Sequence, residues 1–379
     1  MTGHRGPLRR RLKAARMAVK DPLISTLSRL SALGLDRHPR SLADLERNPP
    51  RNILVIRSDR IGDLLCSSPL MEALHRRWPD AKITLLGGPP NRAAMPFFPY
   101  LVRAPVEFAR HPWSWARLAA WLPRQGFDLA VSLRAEVFSG AWIAALTCAP
   151  TRMVTHATRA GAAFNFILGL DEPHQTRRYW LAASRLGVEL PGTPRAMIEV
   201  PAAAAARADA FVGALAVPPQ VPLVGVGMPN RSTVRHRRRA WSADRLVELV
   251  RRLSDGGARV LLFGVGAELQ EARAIVGRVP GATIVPPSPL PVVAGIQRHL
   301  ALLVTSFTGT MHVAGAVGTP TVALGEAGIV ADWRLLGPLH RAVAAANPAD
   351  IPVEAVLAEV REALKLRMPA AVPEFGATG

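Results

Sequence analysis

The most informative stretch of this chain is Ser306-Phe307-Thr308-Gly309-Thr310-Met311-His312, continued by Val313-Ala314-Gly315-Ala316-Val317-Gly318-Thr319-Pro320-Thr321-Val322-Ala323-Leu324. With the apolar residues before it, it predicts a buried strand, a small-residue turn, a short helix and a second apolar strand. A strand that enters a helix through a Thr-Gly turn presents free backbone N–H groups at the helix start, where the helix dipole favours negative charge. The stretch is therefore a candidate site for a phosphate or diphosphate, although an ordinary strand–turn–helix corner has the same local pattern.

Length and composition indicate a globular protein with two domains. The chain has 379 residues, of which 49% are hydrophobic and 20% charged, and domains of roughly 150 residues are typical. Its two cysteines, Cys66 and Cys148, lie far apart, so we expect neither a disulfide framework nor a cysteine metal site, and a reducing compartment fits. The net charge of +19 suits nucleic acid, anionic lipid or a phosphorylated substrate as a partner.

Residues 1–50 form a basic extension that we predict to be helical. Residues 1–47 hold 11 Lys/Arg against 4 acids, with loosely amphipathic spacing of the apolar residues between them. Such a segment suits an anionic membrane surface, but a solvated tail or a helix packed on the core explains the same pattern. No apolar run reaches the roughly 18 residues of a spanning helix, and no signal-peptide pattern follows the basic start. We therefore expect a cytoplasmic protein, peripheral on the inner face of the cytoplasmic membrane.

The rest of the chain alternates between strand and helix patterns, which predicts an α/β fold of two doubly wound, mostly parallel sheets with a ligand cleft between them. The predicted N-terminal domain covers 51–195 and the C-terminal domain 196–350, followed by a C-terminal helix and loose tail at 351–379. Within the first domain, we expect a turn at 57–63 and a helix that starts or restarts at 67–69. Strands are predicted at 53–56, 82–86, 127–133, 152–154, 223–226, 260–263 and 283–285, and helices at 179–186, 242–256, 268–276 and 353–366.

Two distant stretches match one family. Ile53-Leu54-Val55-Ile56-Arg57-Ser58-Asp59-Arg60-Ile61-Gly62-Asp63-Leu64-Leu65, with Pro69, resembles the opening strand and Gly-Asp turn of the ADP-heptose:lipopolysaccharide heptosyltransferases, glycosyltransferase family 9. Thr308-Gly309-Thr310-Met311-His312, with Gly318-Thr319-Pro320, resembles their donor-site signature Asp-Thr-Gly-x-x-His. Between them, Val224 to Gly227, Arg239-Ala240-Trp241 with Arg245, and Leu262-Phe263-Gly264 with Gly266-Ala267-Glu268 resemble intervening family segments, so the likeness covers roughly residues 52–345 in order.

The resemblance implies a GT-B fold, with two Rossmann-like domains around a deep cleft. It also implies an inverting transfer of a sugar, typically heptose from ADP-heptose, to a lipopolysaccharide-core or other surface-glycan acceptor, without a cofactor or a required metal. The acceptor is then expected on the N-terminal domain and the nucleotide sugar on the C-terminal domain.

Catalysis requires a base for the acceptor hydroxyl, and Asp63 at the end of the first strand is our candidate. Capping of the following helix is the structural alternative for Asp63. Arg60 and Gly62 are assigned to the acceptor side, and Asp59 is the neighbouring competitor for the role of base.

Departure of ADP requires stabilisation of negative charge. We assign this role to Arg239 and to the donor-site residues Thr308, Gly309, Thr310 and His312. Arg239 stands where the family has lysine, and its guanidinium still suits phosphate. Glu268 corresponds to a ribose-hydroxyl ligand, although an acid at a helix N-terminus is common on electrostatic grounds alone.

Phe307 departs from the family pattern, because an acidic residue that contacts the donor sugar precedes Thr-Gly in the family. A phenyl ring accepts no hydrogen bond from a hydroxyl, which would leave sugar hydroxyls unpaired. Three interpretations are open. The donor is another, less polar nucleotide sugar, or the enzyme has weakened activity, or the protein is a catalytically silent relative that serves as a nucleotide-sugar-binding scaffold. A nucleic-acid binder is disfavoured because the sequence has no recognition-helix motif or aromatic array. A dehydrogenase is disfavoured because no Gly-x-Gly-x-x-Gly follows the first strand.

Overall fold

The computed structural model describes residues 26, 29, 33–109, 111–133, 138–158, 160–230 and 238–367. Most of the predicted basic extension, and the predicted tail beyond 367, lie outside these residues. Within them, no helix combines the length and apolarity that crossing a bilayer requires.

Each half of the chain builds one six-stranded sheet. The first sheet contains β1 (Asn52–Ile56), β2 (Lys82–Leu86), β3 (Leu101–Arg103), β4 (Leu129–Ser132), β5 (Thr151–Val154) and β6 (Phe166–Ile167). The second contains β7 (Leu223–Gly227), β8 (Arg259–Phe263), β9 (Ala282–Ile284), β10 (Leu302–Ser306), β11 (Thr321–Glu326) and β12 (His340–Ala345).

The two sheets repeat one topology. Their strand orders are β3-β2-β1-β4-β5-β6 and β12-β11-β10-β7-β8-β9, and their neighbouring strands pair in parallel. In each sheet the order reverses between the first and fourth strands, which opens a ligand crevice at their carboxyl ends. The segment after β1 and the segment after β10 both begin at such a crevice.

Helices cover the two sheets. The described helices are α1 (Leu42–Arg47), α2 (Ile61–Arg77), α3 (Pro112–Trp121), α4 (Phe138–Leu146), α5 (Gln175–Arg185), α6 (Ala202–Ala214), α7 (Ala243–Asp255), α8 (Glu268–Arg278), α9 (Leu290–Arg298), α10 (Gly309–Ala316), α11 (Ala327–Trp333) and α12 (Val353–Arg367). The predicted cap of α7 is present, since Ser242 Oγ accepts the N–H of Arg245 at 3.3 Å.

Helix α2 begins earlier than the sequence indicated. It starts at Ile61 and contains Pro69 in its interior, so Asp63 lies in its first turn and not in a preceding loop. Proline leaves the carbonyl four residues before it without its usual donor. The Ser68 hydroxyl donates to that carbonyl, Leu65 O, at 2.6 Å, and this bond accounts for the uninterrupted helix.

The two halves pack directly on each other. One buried apolar cluster contains Leu64 and Leu65 of α2 together with Ala294 of α9 and Val313 of α10. The domain boundary predicted near 195 remains a prediction. Just beyond it, Met197 N–H donates to Ser68 Oγ at 2.7 Å, so the chain there still bonds to the first half.

The described end of the basic extension also packs on the first half. Leu45 of α1 is buried in the same cluster. The Arg40 N–H donates to Asn165 O at 2.7 Å, and the Arg152 guanidinium donates to Asp36 O. For residues 36–47, the alternative of a segment packed on the core is therefore realised.

Candidate active site

A cleft of about 700 Å³ lies between the two halves. Asp63, beyond β1, and Thr308 with Gly309, beyond β10, line this same space. The predicted site residues that line it are Arg60, Gly62, Asp63, Arg239, Thr308, Gly309 and His312.

Asp63 both caps α2 and reaches the cleft. Its Oδ2 accepts the backbone N–H of Arg60 at 3.3 Å, which is the capping interaction. Its Oδ1 lies 3.5 Å from Nη2 of Arg57, and 19% of its side chain is exposed. The helix therefore holds the carboxylate at the cleft wall, and its role as a base remains a prediction.

Arg57, which the sequence reasoning did not single out, is the buried cation behind this wall. Its Nε lies 3.1 Å from Oδ1 of Asp59, and Nη1 donates to the carbonyl of Leu133 and lies 3.3 Å from the Tyr179 hydroxyl. Burial acts to lower the pKa of Arg57, but Tyr179, Asp59 and Asp63 together raise it above its ordinary value. One signal in the sequence could have identified it: Arg57 directly follows the apolar strand β1, and a cation buried there requires anionic partners.

The start of α10 forms the opposite wall. Thr308 is its N-cap residue, with extended backbone at φ −135 and ψ 176. The first N–H groups of a helix have no partner inside it, so the amides of Gly309 and Thr310 are donors for an anion. A Cβ on Gly309 would lie 3.4 Å from the Ile61 side chain, and the starts of α10 and α2 are therefore in contact.

His312 lies where these two helix starts meet, against Gly62. It is 6% exposed, and its ring stands edge-on to Trp333 with centroids 6.3 Å apart. Burial, with a smaller effect of His174, lowers the pKa of His312 to about 4. The imidazole is accordingly neutral at pH 7.

Cys66 lies against the ring of His312. Its Sγ lies 3.5 Å from His312 Nδ1, and burial raises the pKa of the thiol to about 12. A neutral imidazole carries a single ring N–H. His312 lines the cleft and brings that donor into its wall.

Arg239 is paired with an acid of the cleft in this structure. Its Nη2 donates to Glu326 Oε1 at 2.9 Å, and its Nη1 donates to Glu326 Oε2, which makes a two-pronged ion pair. The side chains are 33% and 25% exposed. Sequence reasoning did not identify Glu326, because nothing local marks the last residue of β11 as a partner of Arg239.

Two predicted residues are not among the described residues that line the cleft. Glu268 begins α8, and its Oε2 accepts the N–H of Val265 at 3.2 Å. Burial raises the pKa of Glu268 above its ordinary value. Thr310 is the second residue of α10. Their roles in donor binding stay predictions.

Phe307 occupies the cleft wall beside Gly325. A Cβ on Gly325 would lie 2.6 Å from Cδ2 and Cε2 of the Phe307 ring, so the ring fills the space that a side chain at 325 would need. At position 307 the wall is apolar.

Comparison with known proteins agrees with this architecture. The sequence model of the family described as Glycosyltransferase family 9 (heptosyltransferase) matches residues 115–353. A comparison with curated protein sequences finds no match.

Solved structures share the two-sheet arrangement. The glycosyl transferase family 9 protein from Veillonella parvula aligns with TM-score 0.70 at 17% identity, covering 83% of this chain and 97% of that one. E. coli ADP-heptose lps heptosyltransferase II aligns with TM-score 0.66 at 21% identity, covering 84% and 100%. E. coli heptosyltransferase WaaC with ADP aligns with TM-score 0.64 at 16% identity, covering 83% and 99%. At these identities the likeness is one of fold, and it confirms the predicted GT-B architecture.

Proposed function

This chain belongs to glycosyltransferase family 9, and from that premise we propose that it is an inverting, heptosyltransferase-like enzyme. It moves heptose or a related sugar from a nucleotide-sugar donor, ADP-linked, to a lipopolysaccharide-core or other surface-glycan acceptor. The observation that carries the proposal is that Asp63 of the first half and the Thr308-Gly309 turn of the second half line one and the same cleft. A transfer reaction needs this arrangement, because an acceptor and a donor must meet with a base on one side and an anion site on the other.

Asp63 is the proposed general base. The acceptor hydroxyl attacks the anomeric carbon while its proton passes to the Asp63 carboxylate, and the bond between that carbon and the diphosphate oxygen breaks. Attack from the face opposite the leaving group inverts the anomeric centre. Arg57 Nη2, 3.5 Å from Asp63 Oδ1, helps to hold the carboxylate in place at the cleft wall.

The negative charge that develops on the departing diphosphate has three sources of stabilisation. The amides at the start of α10 present the positive end of the helix dipole. Arg239 lines the same cleft, and its planar guanidinium matches phosphate oxygens. Neutral His312 lines the same cleft, and its one ring N–H adds a further donor without adding a charge.

We propose an ADP-linked donor because proteins of this fold have been solved with such molecules. The WaaC structures contain ADP in one case and ADP-2-deoxy-2-fluoro heptose in another. Cationic and amide groups line the donor side of the cleft, and we propose that they replace a metal in neutralising the diphosphate.

The acceptor and the location follow from the same proposal. A lipid-linked or lipopolysaccharide acceptor lies at the inner face of the cytoplasmic membrane, and the excess of cations over 1–47 supports an anionic membrane surface as a second partner. We propose a cytoplasmic, peripheral enzyme.

The test is a transfer assay with ADP-heptose and a panel of truncated lipopolysaccharide-core acceptors, run with and without EDTA. Acceptor-dependent release of ADP and an acceptor product with the inverted anomeric configuration, both unchanged by EDTA, are expected. Loss of activity in EDTA would remove the metal-free part of the proposal. Tight binding of nucleotide sugar without any product would favour a scaffold relative instead, the alternative that Phe307 raises.

A further inference from the structure

The carboxyl ends of β10 and β11 lie side by side at the donor wall of the cleft. The two strands are parallel, with Ser306 opposite Leu324, and the Phe307 N–H donates to Leu324 O at 3.2 Å. Phe307 follows β10 and Glu326 ends β11. Phe307 and Glu326 thus lie at the ends of adjacent strands, and both line the cleft.

Glu326 is the acid of this wall. Among the described residues that line the cleft, Asp63 and Glu326 are the acidic ones, and they stand on the first and second halves respectively. A donor sugar presents several hydroxyl groups, each of which can donate a hydrogen bond, and a carboxylate is the strongest acceptor that a side chain supplies. The Phe307 side chain offers no hydrogen-bond acceptor of this kind.

Glu326 can accept hydrogen bonds from a ligand only after its ion pair with Arg239 opens. Both side chains are partly exposed, at 33% for Arg239 and 25% for Glu326. Water can therefore solvate each group while the ion pair separates and each binds a new partner. An entering diphosphate carries more charge than one carboxylate and competes for the guanidinium. Glu326 then needs new donors, and the sugar attached to that diphosphate carries them.

We propose that Glu326 binds hydroxyl groups of the donor sugar and exchanges Arg239 for them when the diphosphate arrives. The inference rests on the proposed function and specifies its substrate: a donor sugar with free hydroxyls, and not a deoxygenated one. Phe307 then forms an apolar wall beside the sugar. Glu326 determines specificity for the sugar, whereas Arg239 serves the diphosphate.

The experiment measures the affinities for ADP, ADP-heptose and an ADP-linked deoxy sugar in the wild type and in Glu326→Gln. Glu359→Gln is the matched control, because Glu359 also pairs with an arginine, Arg341, at 2.8 Å with similar exposure of 32% and 37%. We expect Glu326→Gln to weaken ADP-heptose binding about 10-fold or more while ADP binding stays within about threefold. The discrimination of the wild type against the deoxy sugar should disappear in this variant, and Glu359→Gln should behave as the wild type.

Three results would overturn the inference. Equal weakening of ADP and ADP-heptose would mean that Glu326 only holds Arg239 in place. Unchanged binding of all three ligands by Glu326→Gln would exclude a contact with the sugar. A wild type that binds ADP but gains nothing from any attached sugar would refute the proposed donor class itself, and the wild-type measurement alone reveals that case. Glu326→Asp, which keeps the charge but shortens its reach, provides a second variant should the glutamine variant fold poorly, and the same loss of sugar discrimination is expected.

Discussion

The imidazole of His312 rests on the backbone of Gly62, so closely that a Cβ at position 62 would stand 2.7 Å from Cδ2 of the ring. One residue comes from the first turn of α2 and the other from the first turn of α10. The two helix starts, each expected to face the ligand, are therefore in direct contact where both line the cleft.

Replacement of Gly62 by alanine should force the two halves apart. Alanine in a helix is otherwise better than glycine by about 1 kcal/mol, so a loss of stability would come from the contact with His312, at about 1 to 3 kcal/mol. Urea unfolding measures it. Gly213→Ala is the control, because Gly213 is also helical and a Cβ there meets nothing within 4 Å. A Gly62 variant as stable as the Gly213 variant would show that the contact is not tight in solution.

Asp63→Ala should lower turnover by about 100-fold or more while leaving the affinity for ADP nearly unchanged, because a base acts only in the chemical step. Steady-state kinetics and calorimetric titration with ADP separate the two effects. Asp59→Ala tests the competitor, which shares Arg57 with Asp63. Normal turnover of the Asp63 variant, with loss in the Asp59 variant, would transfer the role of base to Asp59.

Arg57→Met should destabilise the protein by about 3 kcal/mol or more, because the buried partners of the guanidinium lose their donor and counter-charge. The acids it holds should also become misplaced, so turnover should fall together with stability. Arg92→Met is the control: Arg92 is 56% exposed and pairs with Glu107, and such a surface pair contributes about 1 kcal/mol or less. Similar losses in the two variants would contradict the assigned role of Arg57.

Stability should fall as the pH drops from 7 to 5, in part through His312. Its pKa is about 4 in the folded protein, against the ordinary histidine value of 6.5 expected in the unfolded chain, so the unfolded chain binds the proton first and protonation favours unfolding in this window. The contribution of this one residue to the loss is about 2 kcal/mol between pH 7 and 5. The stability that depends on a neutral His312 ring is fully present above the pKa of the unfolded chain and is lost as the pH falls toward 4.

Urea unfolding of His312→Gln at both pH values checks this sign, since the variant should show a shallower pH dependence than the wild type. His340, whose pKa burial also lowers to about 4, should contribute separately. His38→Gln is the control because its side chain is 92% exposed. An identical pH dependence in the wild type and the His312 variant would exclude the buried neutral ring as a cause.

Deletion of residues 1–32 should release the protein from anionic vesicles without unfolding it. The cut is placed there because Leu45 and the backbone near Asp36 and Arg40 are bound to the first half, so a longer deletion would disturb the fold. Vesicle co-sedimentation at low and high salt measures the effect, and thermal unfolding verifies the fold. Undiminished sedimentation of the shortened chain would place the membrane contact elsewhere.

The class of fold followed from the sequence alone, as did the prediction that the turns near Asp63 and Thr308 share one cleft, which both of them line. Continuous apolar runs such as that of β1, with 0% exposure from Ile53 to Ile56, are readable because a strand buried on both faces leaves no polar position. The sequence did not predict the short edge strands β3 and β6 or the half-exposed β12, since they carry no such run. The turns after β1 and β10 were predicted because each follows an apolar run and resembles a family segment; their place where the sheet order reverses is a property of the structure.

Which side chains come into contact could be learned only from the arrangement of the elements in space. Cys66 and His312 are 246 residues apart, and Arg239 and Glu326 are 87 apart, so no local periodicity relates the members of either pair. The first contact depends on how the two sheets and their helices pack against each other. The second depends on how the end of β11 packs against a segment distant in sequence. Local propensity specifies the elements, but the partner of a buried charge or a neutral imidazole is chosen by packing between elements, which a linear pattern does not encode.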